Sequence, residues 1–214
     1  MTRIIVSVSG NNFQESAKAL EGAEYAELRL DLVKLTEEEI ISLMQMCNNW
    51  IVAVRKEFLS ISGHTQLFQI ALNQKPMYVD FDFSLITVPH CLKLMQITKD
   101  AKCPLIFSYH NFENTPATEE LEKITDKIFE SGADITKIAC MVNNEKDGER
   151  LSGLYNKFEN IIAFGMGEHG VKSRIQTMFL GNGFAYAAPD FGNFTAPGQL
   201  RLSEMKELFN TKNE

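Results

Sequence analysis

Eight short apolar runs recur along the chain, and each is followed by a stretch with helical spacing. The runs are Ile4–Val8, Tyr25–Leu30, Trp50–Arg55, Met77–Phe81, Leu105–Tyr109, Asp134–Ala139, Ile161–Phe164 and Phe184–Ala187. Many are apolar almost without interruption, as expected of a parallel sheet covered on both faces. Among the intervening stretches, Thr36 precedes Glu37-Glu38-Glu39 and the series Ile40, Leu43, Met44, Cys47, while Thr118 precedes Glu119-Glu120 and Leu121, Ile124, Ile128. Both threonines read as N-caps with acidic first turns. Asn143 opens a further helix through Leu151 and Leu154. Gln14–Leu20, Gln66–Leu72, Cys91–Ile97, Arg174–Leu180 and Met205–Phe209 complete a set of eight. Eight strand–helix units predict a (β/α)8 TIM barrel, one α/β domain over residues 1–214. A doubly wound open sheet is the alternative. The 214 residues divided by eight give about 27 per unit, close to the smallest βαβ repeat, so the barrel is a small one.

The formal charge of −7 argues against a nucleic-acid or anionic-membrane partner. It leaves room for a small anionic substrate held by local arginines. No apolar run approaches the roughly 18 residues needed to cross a bilayer. Met1-Thr2-Arg3 leads directly into a strand, without the apolar region of a signal peptide. Cys47, Cys91, Cys103 and Cys140 show no C-x-x-C spacing and read as reduced thiols in a cytoplasmic protein.

In a TIM barrel the active site is built at the C-terminal ends of the strands. The polar residues at those ends are therefore the candidates. Glu27, Arg29 and Asp31 alternate with leucines, which places them on one face of the second strand. Arg55 ends the third strand, and the fourth carries Asp80 and Asp82. Ser108-Tyr109-His110 closes the fifth, and Lys137 interrupts the apolar sixth. Arg174 lies beyond the seventh strand, and Thr195 and Gln199 lie beyond the eighth. A lysine in such a strand either reaches outward to solvent or points into a polar cavity. In the cavity, desolvation disfavours an ammonium and frees the nitrogen lone pair for attack on a carbonyl. His110, one strand away, could share a substrate with it and shuttle protons near neutral pH. His64, His90 and His169 have no metal-cluster spacing with acidic residues, so no metal is expected.

Gly165-Met166-Gly167-Glu168-His169-Gly170 has the form G-x-G-x-x-G between a strand and a helix, with Asp190 about 20 residues beyond. Too little chain follows to build a dinucleotide-binding sheet. In a barrel the segment falls after strand seven, where loops and a helix N-terminus often bind anions, and Arg174 then reads as the anion anchor. Asn193-Phe194-Thr195 has the form of a glycosylation sequon, discounted without a secretion signal.

Five segments, in this order, carry a resemblance: Glu27-Leu28-Arg29-Leu30-Asp31, Ser108-Tyr109-His110-Asn111-Phe112, Ala133-Asp134-Ile135-Thr136-Lys137-Ile138-Ala139, Met166-Gly167-x-x-Gly-x-x-Ser173-Arg174 and Ala196-Pro197-Gly198-Gln199. The chain resembles the type I 3-dehydroquinate dehydratases, the Schiff-base class of dehydroquinase in the shikimate pathway. The resemblance implies conversion of 3-dehydroquinate to 3-dehydroshikimate and water without a cofactor. Lys137 would form the imine. His110 would assist its formation and hydrolysis, remove the adjacent C–H proton and protonate the departing hydroxyl. Glu27, Arg29 and Arg55 match positions that hold substrate hydroxyls, and Arg174 matches the carboxylate anchor. Gln199 and Thr195 match the lid loop, with Thr195 where the family usually has serine. A homodimer is implied as well.

There is one departure. The family usually carries, after the strand-three arginine, an acid followed by two glycines, and that acid orients the histidine. Here Arg55 is followed by Lys56-Glu57-Phe58-Leu59-Ser60. Asp80, Asp82 or Glu57 is expected to take over. Another imine-forming barrel lyase or aldolase, and a non-catalytic anion-binding barrel of the same family, are the alternative readings.

Overall fold

The computed structural model describes residues 2–180 and 183–212. Eight strands, β1 (Arg3–Gly10), β2 (Tyr25–Val33), β3 (Asn49–Val54), β4 (Tyr78–Asp82), β5 (Leu105–Asn111), β6 (Ile135–Met141), β7 (Ile161–Met166) and β8 (Phe184–Ala187), alternate with eight α-helices. The helices are α1 (Phe13–Lys18), α2 (Glu37–Met44), α3 (His64–Asn73), α4 (Pro89–Asp100), α5 (Thr118–Glu130), α6 (Glu145–Gly153), α7 (Gly170–Thr177) and α8 (Leu202–Lys212). The sheet order β7-β6-β5-β4-β3-β2-β1-β8 is sequential and every pairing is parallel. That order is the (β/α)8 barrel and excludes the doubly wound sheet, whose strand order reverses.

Strand periodicity separates two apolar layers. Ile5, Ile51, Ile106, Ile135, Ile162 and Phe184 point into the barrel and fill its lower half. Their neighbours in sequence, such as Val6, Val52, Phe107 and Ile138, point outward beneath the helices and join the larger cluster. Trp50 locks one helix to the wall: its Nε1 donates to Met44 O and Cys47 O at the end of α2, both at 2.9 Å. Those carbonyls lie where a helix has no partners of its own.

The ladder does not run from β7 to β8 among the described residues. The free edge of β7 is met by a side chain instead. Tyr155 Oη donates to Ala163 O at 3.0 Å and accepts from Ala163 N at 2.7 Å. Across the same seam the Phe164 and Tyr186 rings lie 5.7 Å apart, and Arg174 Nη1 donates to Tyr186 O at 3.1 Å.

Thr36 caps α2 in a full capping box with Glu39. Elsewhere boundaries differ from expectation. Ala117, not Thr118, is the N-cap of α5, and Asn144, not Asn143, caps α6. The seventh helix starts at Gly170, four residues before Arg174. β3 ends at Val54, and Arg55 begins a 3-10 turn over Lys56–Ser60. Phe58, fully buried, anchors that turn.

Candidate active site

A cavity of about 370 Å³ opens at the C-terminal ends of the strands. The residues that the resemblance assigns to the site, Glu27, Arg29, Arg55, His110, Lys137, Arg174, Thr195 and Gln199, all line it, whereas the strand-end candidates Asp80, Ser108 and Tyr109 do not.

Lys137 lies at the buried floor. The register pairs Ser108 with Lys137 and His110 with Ala139, so His110 stands one inward step nearer the mouth. Lys137 Nζ donates to Glu27 Oε2 and Asp80 Oδ2, each at 3.1 Å. Its third approach is the face of Tyr186, 3.7 Å from the ring centroid. Glu27 Oε1 accepts from Ser7 Oγ at 3.2 Å, so both oxygens of this buried carboxylate have partners.

Arg55 grips Asp80 rather than open cavity. Its Nη2 donates to Asp80 Oδ2 at 2.8 Å, and its Nη1 donates to Asp80 O and Val54 O, both at 3.0 Å. Burial alone would raise the pKa of Asp80. The adjacent Arg55 and Lys137 outweigh it and hold the carboxyl well below the ordinary carboxylate range. Asp80 is therefore committed to the two cations and does not orient His110.

Asp82 takes that place. Its Oδ2 lies 3.2 Å from His110 Nδ1, and its Oδ1 accepts from Ser84 N at 3.0 Å. Glu57 is exposed at the cavity mouth on the 3-10 turn. Burial lowers the pKa of His110, the Asp82 hydrogen bond raises it, and Arg55 and Lys137 lower it again. The net effect is downward, leaving a neutral imidazole at neutral pH. Phe112 stacks on the ring, 6.1 Å between centroids and 11° between planes.

Arg29 forms a bidentate pair with Asp31, Nε to Oδ1 at 2.9 Å and Nη2 to Oδ2 at 2.7 Å. Arg174 has no carboxylate partner among the described residues, although it is 2% exposed. Its Nη1 uses a backbone carbonyl, while Nε and Nη2 are buried without a partner. Burial pulls its pKa down to about 10. An anion placed against those two donors would relieve the desolvation.

The loop after β8 closes on itself. Ala188 N donates to Leu200 O at 2.8 Å. Gln199 Oε1 accepts from Thr195 N at 2.8 Å and Ala196 N at 3.1 Å, and its Nε2 donates to Thr195 Oγ1 at 3.0 Å. The loop then docks on the glycine-rich segment through Gly167 N and Pro197 O at 3.2 Å. The glycines there serve packing: a Cβ on Gly170 would meet Gly165 C at 2.6 Å. Sequence reasoning passed over Ser7 and Tyr186, because both sit in apolar strands. Their shared inward parity with Ile5 and Phe184 is the signal that finds them.

Cys91 and Cys140 are free thiols whose pKa values burial pushes up to about 12. Among the described residues, no group of three or more His, Cys, Asp and Glu side chains is placed to hold a metal ion.

The profile of the family described as Type I 3-dehydroquinase matches residues 4–214. A 3-dehydroquinate dehydratase of Thermodesulfovibrio yellowstonii is 33% identical over 203 residues, covering 89% of this chain and 86% of that protein. Another, from Methanococcus maripaludis, is 30% identical over 204 residues, covering 90% of each. Among solved structures, the 3-dehydroquinate dehydratase of Aquifex aeolicus superposes with a TM-score of 0.77 at 27% identity, covering 98% of both chains. The Clostridium difficile type I enzyme, solved with covalently modified comenic acid, gives a TM-score of 0.80 at 24% identity over 99% of this chain and 92% of its own.

Proposed function

We infer that this chain, which belongs to the type I 3-dehydroquinase family, converts 3-dehydroquinate to 3-dehydroshikimate and water in the shikimate pathway, as a lyase acting through an imine on Lys137. The observation that carries the reading is the placement of Lys137. It is a buried amine on the cavity floor, with a neutral histidine one step above and an unpaired arginine within the same wall.

The roles follow from that arrangement. Arg174 takes the substrate carboxylate on Nε and Nη2. Lys137, after giving up a proton, adds through Nζ to the ketone carbon, and loss of water leaves a cationic imine. The imine draws electrons from the neighbouring carbon and makes its C–H acidic. His110, held by Asp82, accepts that proton and returns it to the departing hydroxyl, which leaves as water. Hydrolysis of the imine releases the product and restores the amine. Glu27, Arg29 and Arg55 position the substrate hydroxyls. For Glu27 and Arg55 this means exchanging part of their present bonds to Lys137 and Asp80. Thr195 and Gln199 close the lid and exclude water during the imine stage. The scattered, unpaired cysteines support a cytoplasmic protein, and the family resemblance supports a homodimer, which sedimentation velocity of the purified protein checks. No helix among the described residues is long and apolar enough to cross a membrane.

Incubation with 3-dehydroquinate and borohydride, followed by mass spectrometry, tests the reaction. The expected result is a reduced adduct on Lys137, together with enone absorbance in the unreduced mixture. Lys137→Ala abolishes the adduct. His110→Ala lowers turnover by about 10²–10⁴. Absence of both adduct and enone sinks the proposal, and an adduct without the enone points to a different imine-forming lyase.

A further inference from the structure

The seam between β7 and β8 carries two aromatic rings, and each lies under one of the site's buried cations. Tyr186 presents its face to Lys137 Nζ at 3.7 Å from the ring centroid. Phe164 presents its face to the Arg174 guanidinium at 4.4 Å. The two rings are in contact with each other, 5.7 Å between centroids and tilted by 38°. Both line the cavity and both are buried. Resting on the proposed function, we propose that Tyr186 and Phe164 form an aromatic wall that positions the imine-forming nitrogen and the carboxylate anchor, and that Tyr186 holds the charge on that nitrogen when its hydrogen bonds are lost.

The ammonium of Lys137 donates two hydrogen bonds, to Glu27 and Asp80. A cationic imine on the same nitrogen retains a single N–H, so at most one of those bonds survives. The attraction of a cation to a ring face acts on the charge and requires no proton. It therefore persists from ammonium to imine, where it favours the charge that acidifies the neighbouring C–H. Desolvation strengthens it, because both partners are buried. The Tyr186 hydroxyl does not serve this purpose. It is buried with no hydrogen-bond partner, and burial together with nearby Glu27 and Asp80 keeps it protonated. The ring, rather than the hydroxyl, is the acting part. Phe164 does for Arg174 what no carboxylate in the free site does: it fixes the guanidinium plane with two donors left for an anion.

Ring and hydroxyl separate in paired variants. The rate of borohydride-trapped adduct on Lys137 is measured at saturating 3-dehydroquinate, alongside kcat, KM and thermal melting. Tyr186→Leu is expected to slow adduct formation about tenfold or more with KM within about threefold of the parent, and Tyr186→Phe to stay within about threefold in both. Phe164→Leu is expected to raise KM about tenfold with kcat nearly unchanged, and Phe164→Tyr to restore KM. A Tyr186→Phe protein as slow as Tyr186→Leu, or a folded Tyr186→Leu protein as fast as the parent, overturns the wall and leaves the proposed function standing. A parent protein that forms no adduct and turns over no 3-dehydroquinate overturns the proposed function, and the wall with it.

Discussion

Asp82 and Arg174 are the residues at which the free site has most to say about chemistry. For His110, burial is the dominant influence and lowers the pKa, against the upward pull of Asp82. Removing the carboxylate therefore lowers the pKa further and also frees the ring to turn. Asp82→Asn is expected to move the acid limb of the kcat/KM–pH profile to lower pH and to reduce the plateau by about tenfold or more. A pH–rate profile checks both, and an unchanged limb excludes Asp82 as the orienting acid. Arg174 sits under the opposite strain, with two buried donors unused. Arg174→Gln is expected to lower kcat/KM by about 30-fold or more, the equivalent of at least ~2 kcal/mol for a lost buried charge contact. The folded state should meanwhile become no less stable, since a buried charge with no carboxylate partner among the described residues is removed. Steady-state kinetics and thermal melts on the same preparation test the pair of outcomes.

The loop after β8 shows how far an element's role depends on a neighbour that the local sequence does not reveal. Gly198 has φ +72°, and a Cβ there would run into the backbone carbonyl of Gly167. The loop after β8 can therefore lie on the glycine-rich loop only with glycine at this position. Gly198→Ala is expected to lower stability by about 1–3 kcal/mol and to raise KM, because Thr195 and Gln199 no longer sit over the cavity. Denaturant melts and steady-state kinetics check it, and an unaltered KM would show that docking is dispensable. The same limit explains which features could be read in advance. The strands were legible because their apolar runs are a direct consequence of double-sided burial, and α2 because Thr36 and Glu39 make reciprocal bonds within four residues. The start of α7 was not, since His169 caps it without a side-chain bond. Lys137 was legible as a charge inside an apolar strand, His110 as a histidine closing one, and Arg174 as the cation that follows the glycine-rich segment. The pairing of Asp80 with Arg55 and Lys137 was not, because it joins strands 25 and 57 residues apart. Which of Asp80, Asp82 and Glu57 would reach His110 likewise turns on barrel register, which places Asp82 opposite Ser108.

At the scale of the whole barrel, closure is the step with the least backbone support. Among the described residues, seven strand pairs form parallel ladders, while the β7 edge facing β8 is met by Tyr155. One hydroxyl there satisfies both the N–H and the C=O of Ala163, in place of a ladder rung. Its burial pushes the Tyr155 pKa up to about 12, so it remains a donor across the working pH range. Tyr155→Phe keeps the ring and removes only that oxygen. Two backbone groups lose their partner, an expected loss of about 1–3 kcal/mol. The effect should be local before it is global, because the other ladders are untouched. Hydrogen exchange read residue by residue should show the Ala163 amide losing protection first, with β4 and β5 amides still exchanging at the rate set by global unfolding. The seam also carries Phe164, Tyr186 and the backbone carbonyl that Arg174 uses. Loosening it should raise KM for an anionic substrate while the Lys137 and His110 side chains, on β6 and β5, keep their register. Uniform loss of protection across all eight strands, with KM unchanged, would mean that the barrel opens as one unit and that Tyr155 is not its latch.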